Sequence, residues 1–149
     1  MEGNAVYGKR EGVSLHDLLQ RLSAEHSELQ QALAGIRPRQ FRTDEGLSRL
    51  GRVRDLLRTH IAEEQRELYP PLVQAARGDE RLAGQLQRMS DDLRIVNGLA
   101  EDFFKKYEGG EPKLVEFATD HGALLTILKI RLKREEETLF PLFDRISQN

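Results

Sequence analysis

Cysteine is absent from this 149-residue chain. Disulfides, thiolate zinc sites and cysteine nucleophiles are thereby excluded, and a bound metal would have to rely on imidazole and carboxylate ligands. Neither sign of charge dominates: 23 Lys and Arg stand against 25 Asp and Glu, interspersed, and the formal net charge of -2 leaves no basic stripe for a nucleic acid. Nucleic acid is therefore not an expected partner. The longest nearly apolar stretch, around Gly122 to Ile130, is far too short for a membrane span, and no membrane partner is expected. Met1 to Ser14 is polar, with Glu2, Lys9, Arg10 and Glu11, unlike a signal sequence. These absences predict a soluble cytoplasmic protein with a flexible N-terminal arm over residues 1–13. A Ser/His/Asp arrangement, a phosphate-binding loop and a glycine-rich nucleotide fingerprint are also missing, so no enzyme activity is expected.

What the chain does contain is helical periodicity. Its length suits one domain, residues 14–149, with a single core. Leu15, Leu19, Leu22, His26, Leu29 and Leu33 alternate spacings of four and three, the seam of a first helix from Ser14 to Ala34. Thr43 or Asp44 can cap a second, whose seam is Leu50, Val53, Leu57, His60, Glu64 and Leu68 before Pro70-Pro71. The third seam, from Leu82 through Leu86, Met89, Leu93, Val96, Ala100 and Phe103 to Tyr107, is apolar throughout and stops at Gly109-Gly110. A fourth starts at about Pro112 and runs through Phe117, His121, Leu124, Leu128, Arg131, Glu135 and Leu139. Short loops between four such helices predict an all-α, antiparallel up-down-up-down four-helix bundle.

One phrase is written twice. His60-Ile61-Ala62-Glu63-Glu64-Gln65-Arg66-Glu67-Leu68-Tyr69-Pro70 aligns without a gap on Arg131-Leu132-Lys133-Arg134-Glu135-Glu136-Glu137-Thr138-Leu139-Phe140-Pro141. His and Glu four residues apart share a helical face in the first copy, as bundles present metal ligands to their interior; in the second copy Arg replaces His. His26, His60, Glu64, His121, Arg131 and Glu135 all fall on seams that otherwise read as core. Buried carboxylates need a cation, so Glu64 and Glu135 must face either a metal or Arg131. Two imidazoles and two carboxylates at one level would suit iron, manganese or zinc. If the prolines end their helices, Glu63, Glu64, Glu67 and Glu135 to Glu137 crowd a negative helix end. Glu63, Glu67 and Glu137 are expected on a solvated face. His121, about 15 Å along its helix from Arg131, reads as a hydrogen-bonded core histidine, and His16 as exposed.

These phrases resemble the hemerythrin-like, or HHE cation-binding, family, over Ser14 to Ile146. The resemblance implies a non-haem di-iron site built from about five histidines and two bridging carboxylates, used to bind or sense oxygen, nitric oxide or iron. His26, His60, Glu64 and Glu135 match that pattern. The family's third-helix histidine falls on Leu93 and its fourth-helix histidine on Arg131, so the resemblance implies that one iron keeps its imidazoles and the other has lost them.

Three states of the site remain: a di-iron centre, a mononuclear iron site on the four matching residues, and a metal-free core in which Arg131 forms a metal-replacing ion pair with the glutamates. The ligand count favours the last two. The implied function is a degenerate regulatory or interaction module with at most one metal ion; the alternative is an iron-binding sensor or storage protein. An unidentified protein partner is expected, and the exposed faces of the third and fourth helices suit a homodimer.

Overall fold

The computed structural model describes residues 2–109 and 113–147, with side chains described from residue 17 onward. Helix α1 spans Glu2–Ala34, and a single 3-10 turn at Pro38–Gln40 leads to α2, Asp44–Glu63. The same rod passes through a π-helical turn at Glu64–Leu68 into α3, Tyr69–Ala75. Helices α4, Glu80–Glu108, and α5, Leu114–Ser147, complete four long rods, and no strand occurs among the described residues. The expected turn residue Gly110, the first-turn Pro112 and the expected exposure of His16 lie outside what is described.

Local chemistry sets the helix starts. Thr43 is extended and its hydroxyl accepts a hydrogen bond from the Gly46 amide at 3.0 Å, while Asp44 and Glu45 in the first turn oppose the helix dipole. Asp79 does the same for α4 through the Leu82 amide at 3.1 Å, after Gly78 turns the chain at φ +81°. Helix α1 packs on α2 and α5, and α4 packs on the same two, so α1 and α4 occupy one diagonal of the bundle and α2 and α5 the other. Short connections between successive rods make the directions alternate.

The core comes in two apolar blocks. Leu29, Leu33, Phe41, Leu50, Phe103, Phe104, Tyr107 and Phe117 anchor one; Leu22, Leu68, Leu72, Met89, Leu139 and Phe143 anchor the other. Fully burying such a side chain is worth about 1.5–3 kcal/mol. Between the blocks, on α1, the α2–π rod and α5 alike, lies a layer that is polar: His26, His60, Glu64, Arg131 and Glu135, all buried. His121 lies apart from this layer, buried against α1 with its Nε2 2.6 Å from the Leu33 carbonyl, as a hydrogen-bonded core histidine should be.

Two expectations about helix ends are corrected. The backbone is already helical at Glu2, upstream of the expected helix start at Ser14. Neither Pro70-Pro71 nor Pro141 ends its helix: the first rod continues to Ala75 and α5 to Ser147. A proline inside an α-helix clashes with the carbonyl four residues back, but the π turn widens the rod just before Pro70, and the Tyr69 amide reaches back to the Glu64 carbonyl instead. The acids before these prolines are thus mid-helix, and no helix end repels them.

No helix of the described residues is long and apolar enough to cross a membrane. The tightest backbone approach is at Gly46, where an added Cβ would stand 1.9 Å from the Gln40 carbonyl oxygen. Gly46→Ala is therefore expected to destabilise the fold by about 1–3 kcal/mol or more in urea denaturation, because the three atoms the Cβ would meet, in Gln40 and Phe41, are all backbone and cannot swing away.

Candidate metal centre

Three rods converge on the polar layer. His26 sits on α1 between Leu22 and Leu29, His60 in the last turn of α2, Glu64 at the first position of the π turn and Glu135 on α5. None of the four is more than 2% exposed, and one ligand atom from each lies within 4.8 Å of all the others. Burying them together fixes their rotamers by packing; Phe140 stacks on the His26 ring at 5.5 Å between centroids.

The outer edge of each imidazole decides what the inner edge can do. Glu136 Oε2 lies 2.6 Å from His26 Nδ1, and Glu25 Oε1 lies 2.7 Å from His60 Nδ1. A carboxylate there accepts the Nδ1 proton, which leaves the Nε2 lone pair of each ring facing inward. The two Nε2 atoms are 3.0 Å apart; Glu135 Oε1 is 2.9 Å from His26 Nε2, and Glu64 Oε2 is 2.9 Å from His60 Nε2. The crossed pairs, His26 to Glu64 and His60 to Glu135, are both 3.8 Å. Metal–ligand bonds of about 2.0–2.2 Å put neighbouring ligand atoms about 3 Å apart, which is the spacing of the closer pairs.

Electrostatics point the same way. Burial opposes charge on either ring, yet the hydrogen bonds to Glu135 and Glu64 outweigh it and raise His26 to about 9. His60 is raised to about 11, again against burial, by Glu135, Glu25 and Glu64. Burial and the facing Glu135 carboxylate push Glu64 up. Glu135, despite its burial, is held well below the usual carboxylate range by its bonds to Glu64, His26 and His60 and by the charge of Arg131. The pocket demands positive charge at its centre.

Arg131 meets only part of that demand. Its Nη2 lies 3.2 Å from Glu135 Oε2 and donates to the Tyr69 hydroxyl at 3.0 Å. Glu135 therefore divides its two oxygens, one toward the histidines and one toward the guanidinium. Glu64 Oε2 meets only the imidazole Nε2 atoms, Glu64 Oε1 is buried with no donor, and Nε and Nη1 of Arg131 donate to nothing. A buried carboxylate oxygen without a donor is costly, and the four-atom cluster fits a single cation at its centre. A second metal does not fit. Its imidazole positions are Leu93, half-buried and without a donor atom, and Arg131, a permanent cation 3% exposed.

The structure thus brings together five of the six polar residues singled out from the sequence, His121 lying apart, while Leu93 on α4 has no ligand atom to offer. Glu25, Glu136, Tyr69 and Phe140 complete the surroundings, and the sequence carried their signal only as neighbours of His26, Glu64 and Glu135. Glu63 corrects one expectation: it is pinned by Arg21 at 3.2 Å, half-buried, with its Oε1 shielded from solvent. Arg21 also holds the half-buried Glu67 at 3.3 Å, while Glu137 is exposed as expected.

Residues 17–143 match the family model described as Hemerythrin HHE cation binding domain. No curated protein and no solved structure matches the chain.

Two outcomes follow from this arrangement. Glu25→Gln and Glu136→Gln should each weaken metal binding roughly 10–100-fold in chelator competition, with circular dichroism unchanged, because each frees the tautomer of one histidine. Arg131→Ala should lower the stability of the metal-free protein by roughly 3–5 kcal/mol in urea titration, since it leaves the outer oxygen of Glu135 buried without its cation.

Proposed function

The chain belongs to the hemerythrin HHE cation-binding family, and we propose that it is a degenerate member, a regulatory module that holds one metal ion on His26, His60, Glu64 and Glu135. Iron is the metal we assign, on the donor set of two imidazoles and two carboxylates. The observation that carries this reading is the pair of imidazoles whose Nδ1 edges are engaged by Glu25 and Glu136, with their Nε2 atoms turned inward toward Glu64 and Glu135. The alternative of a metal-free core draws on the contact between Arg131 and Glu135 at 3.2 Å, but Arg131 does not reach Glu64, whose Oε1 stays buried without a donor.

A bound iron would supply an open coordination position and one-electron chemistry. The protein's part is to hold two neutral imidazoles in fixed tautomers, to exclude water with the apolar blocks on either side, and to spread the charge of Glu135 between the centre and Arg131. With one ion, this chain has no second iron for the paired chemistry of a di-iron centre. What a single ion can do here is tie α1, the α2–π rod and α5 together, so that occupancy becomes a structural signal. Domains of this family are typically oxygen or metal sensors rather than enzymes, which agrees with a role in regulation.

Anaerobic loading with ferrous ion followed by elemental analysis should give about one equivalent per chain, falling below a tenth in His60→Ala; less than a tenth in the unmodified protein would overturn the assignment. Restoring the missing imidazoles tests the degeneracy itself. The double variant Leu93→His/Arg131→His should raise the content toward two equivalents, and a content that stays at one would show that something other than these two positions limits the site.

A further inference from the structure

Helix α4 carries an apolar seam, yet its middle is poorly covered: Leu93 and Val96 are only half-buried, whereas Leu86, Met89, Ala100 and Phe103 are buried. Beside Leu93 lies a cavity of about 520 Å³ between α4 and the rod formed by the π turn and α3. Tyr69, Leu86 and Leu93 line it, and so does Val73, which is 53% exposed although it is a large apolar residue. Gln87 and Ser90 add polar groups, the single charged side chain is Arg77, and no carboxylate lines the cavity among the described residues. Its size is in the range of small-molecule sites, about 300–1,000 Å³. Ten lining residues are far fewer than the roughly 20–30 per side of a protein interface.

We propose that this cavity binds a small amphipathic monoanion, an aromatic or short-chain aliphatic acid, and that its occupancy is read by the metal centre through Tyr69. The apolar body lies against Leu86, Leu93 and Val73, and the anionic group meets Arg77. Charge selects the class: a cation would face Arg77 with no acid to receive it, and a neutral molecule would leave the guanidinium unused. Tyr69 is the link. Its ring is part of the cavity lining, its hydroxyl accepts from Arg131 Nη2 at 3.0 Å, and the same nitrogen lies 3.2 Å from Glu135 Oε2. A ligand that shifts the Tyr69 ring therefore alters the partner of the one cation that shares Glu135 with the histidines. Binding itself is independent of the proposed function; the coupling rests on the mononuclear metal reading.

The full-length chain titrated with 1-anilinonaphthalene-8-sulfonate is the test. Fluorescence should saturate at one dye per chain, octanoate should displace it, Arg77→Glu should weaken it about tenfold or more, and Ala83→Phe, at an exposed lining position, should abolish it with unchanged circular dichroism. Binding that does not saturate, or that ignores both substitutions, overturns the pocket. For the coupling, octanoate affinity is compared between the metal-free and the cobalt(II)-loaded protein. It should differ, cobalt affinity should change by the same factor when octanoate is saturating, and Tyr69→Phe should remove the difference. Equal octanoate affinities in a protein that has taken up cobalt overturn the coupling, whereas failure to take up cobalt overturns the metal reading and leaves the dye result to stand or fall alone.

Discussion

Two carboxylates from diagonal helices, Glu64 and Glu135, meet in the middle of this bundle with almost no water to screen them, and the rest of the layer is arranged around that repulsion. Arg131 offsets one of the two charges and is placed on the far side of Glu135, so a deficit of one positive charge remains among the fully buried groups. The histidines respond to it: both are driven toward protonation against the pull of burial. Protonating both rings is a poor solution here, because it would bring two positive Nε2–H groups within 3.0 Å of each other. A cation at the centre satisfies four atoms together, which no proton can do.

The helix geometry serves the same end. A regular α-helix through Glu64 would carry the chain directly into Pro70-Pro71, and the wider π turn, beginning at Glu64, allows the rod to continue. Its second buried residue, Leu68, roots the turn in the lower apolar block, so the Glu64 carboxylate is positioned by hydrophobic packing. The aromatic residues that precede the prolines in the two copies of the repeat have divided their work. Phe140 packs on the His26 ring, and Tyr69 takes a hydrogen bond from Arg131. Each thus supports a group contributed by a different helix.

Much of this could be read from one sequence. Seam spacing located the four rods, because apolar residues at threes and fours can be buried only by a helix, and the polar letters on those seams marked the buried layer. The ungapped repeat identified Arg131 as the odd residue in a ligand position. The π turn was not readable, since it depends on how a rod accommodates proline once both of its ends are anchored by packing. Glu25 and Glu136 were likewise hidden: on a helix they look like any solvated acid, and only the rotation of α1 against α2 and α5 turns them onto the outer edges of the histidines. The half-empty middle of α4 was invisible for a related reason, as an apolar seam says which face points inward but nothing about whether a neighbour fills the space.

The shared carboxylate of Glu135 explains why arginine, of all replacements, sits at the second position. A leucine or methionine at residue 131 would leave the outer oxygen of Glu135 buried without a donor, and a lysine would bring a compact, strongly hydrated charge that is costlier to bury than a guanidinium. The guanidinium reaches both Glu135 and Tyr69 through one nitrogen. It thereby holds one oxygen of Glu135 toward Arg131 while the other stays turned to the histidines. Had the layer been purely structural, apolar side chains of similar volume would have stabilised the bundle as well or better. Both imidazoles, both carboxylates and both Nδ1 acceptors around one point instead make up the donor set that the proposed single ion requires, with Arg131 supplying the charge where a second ion would sit.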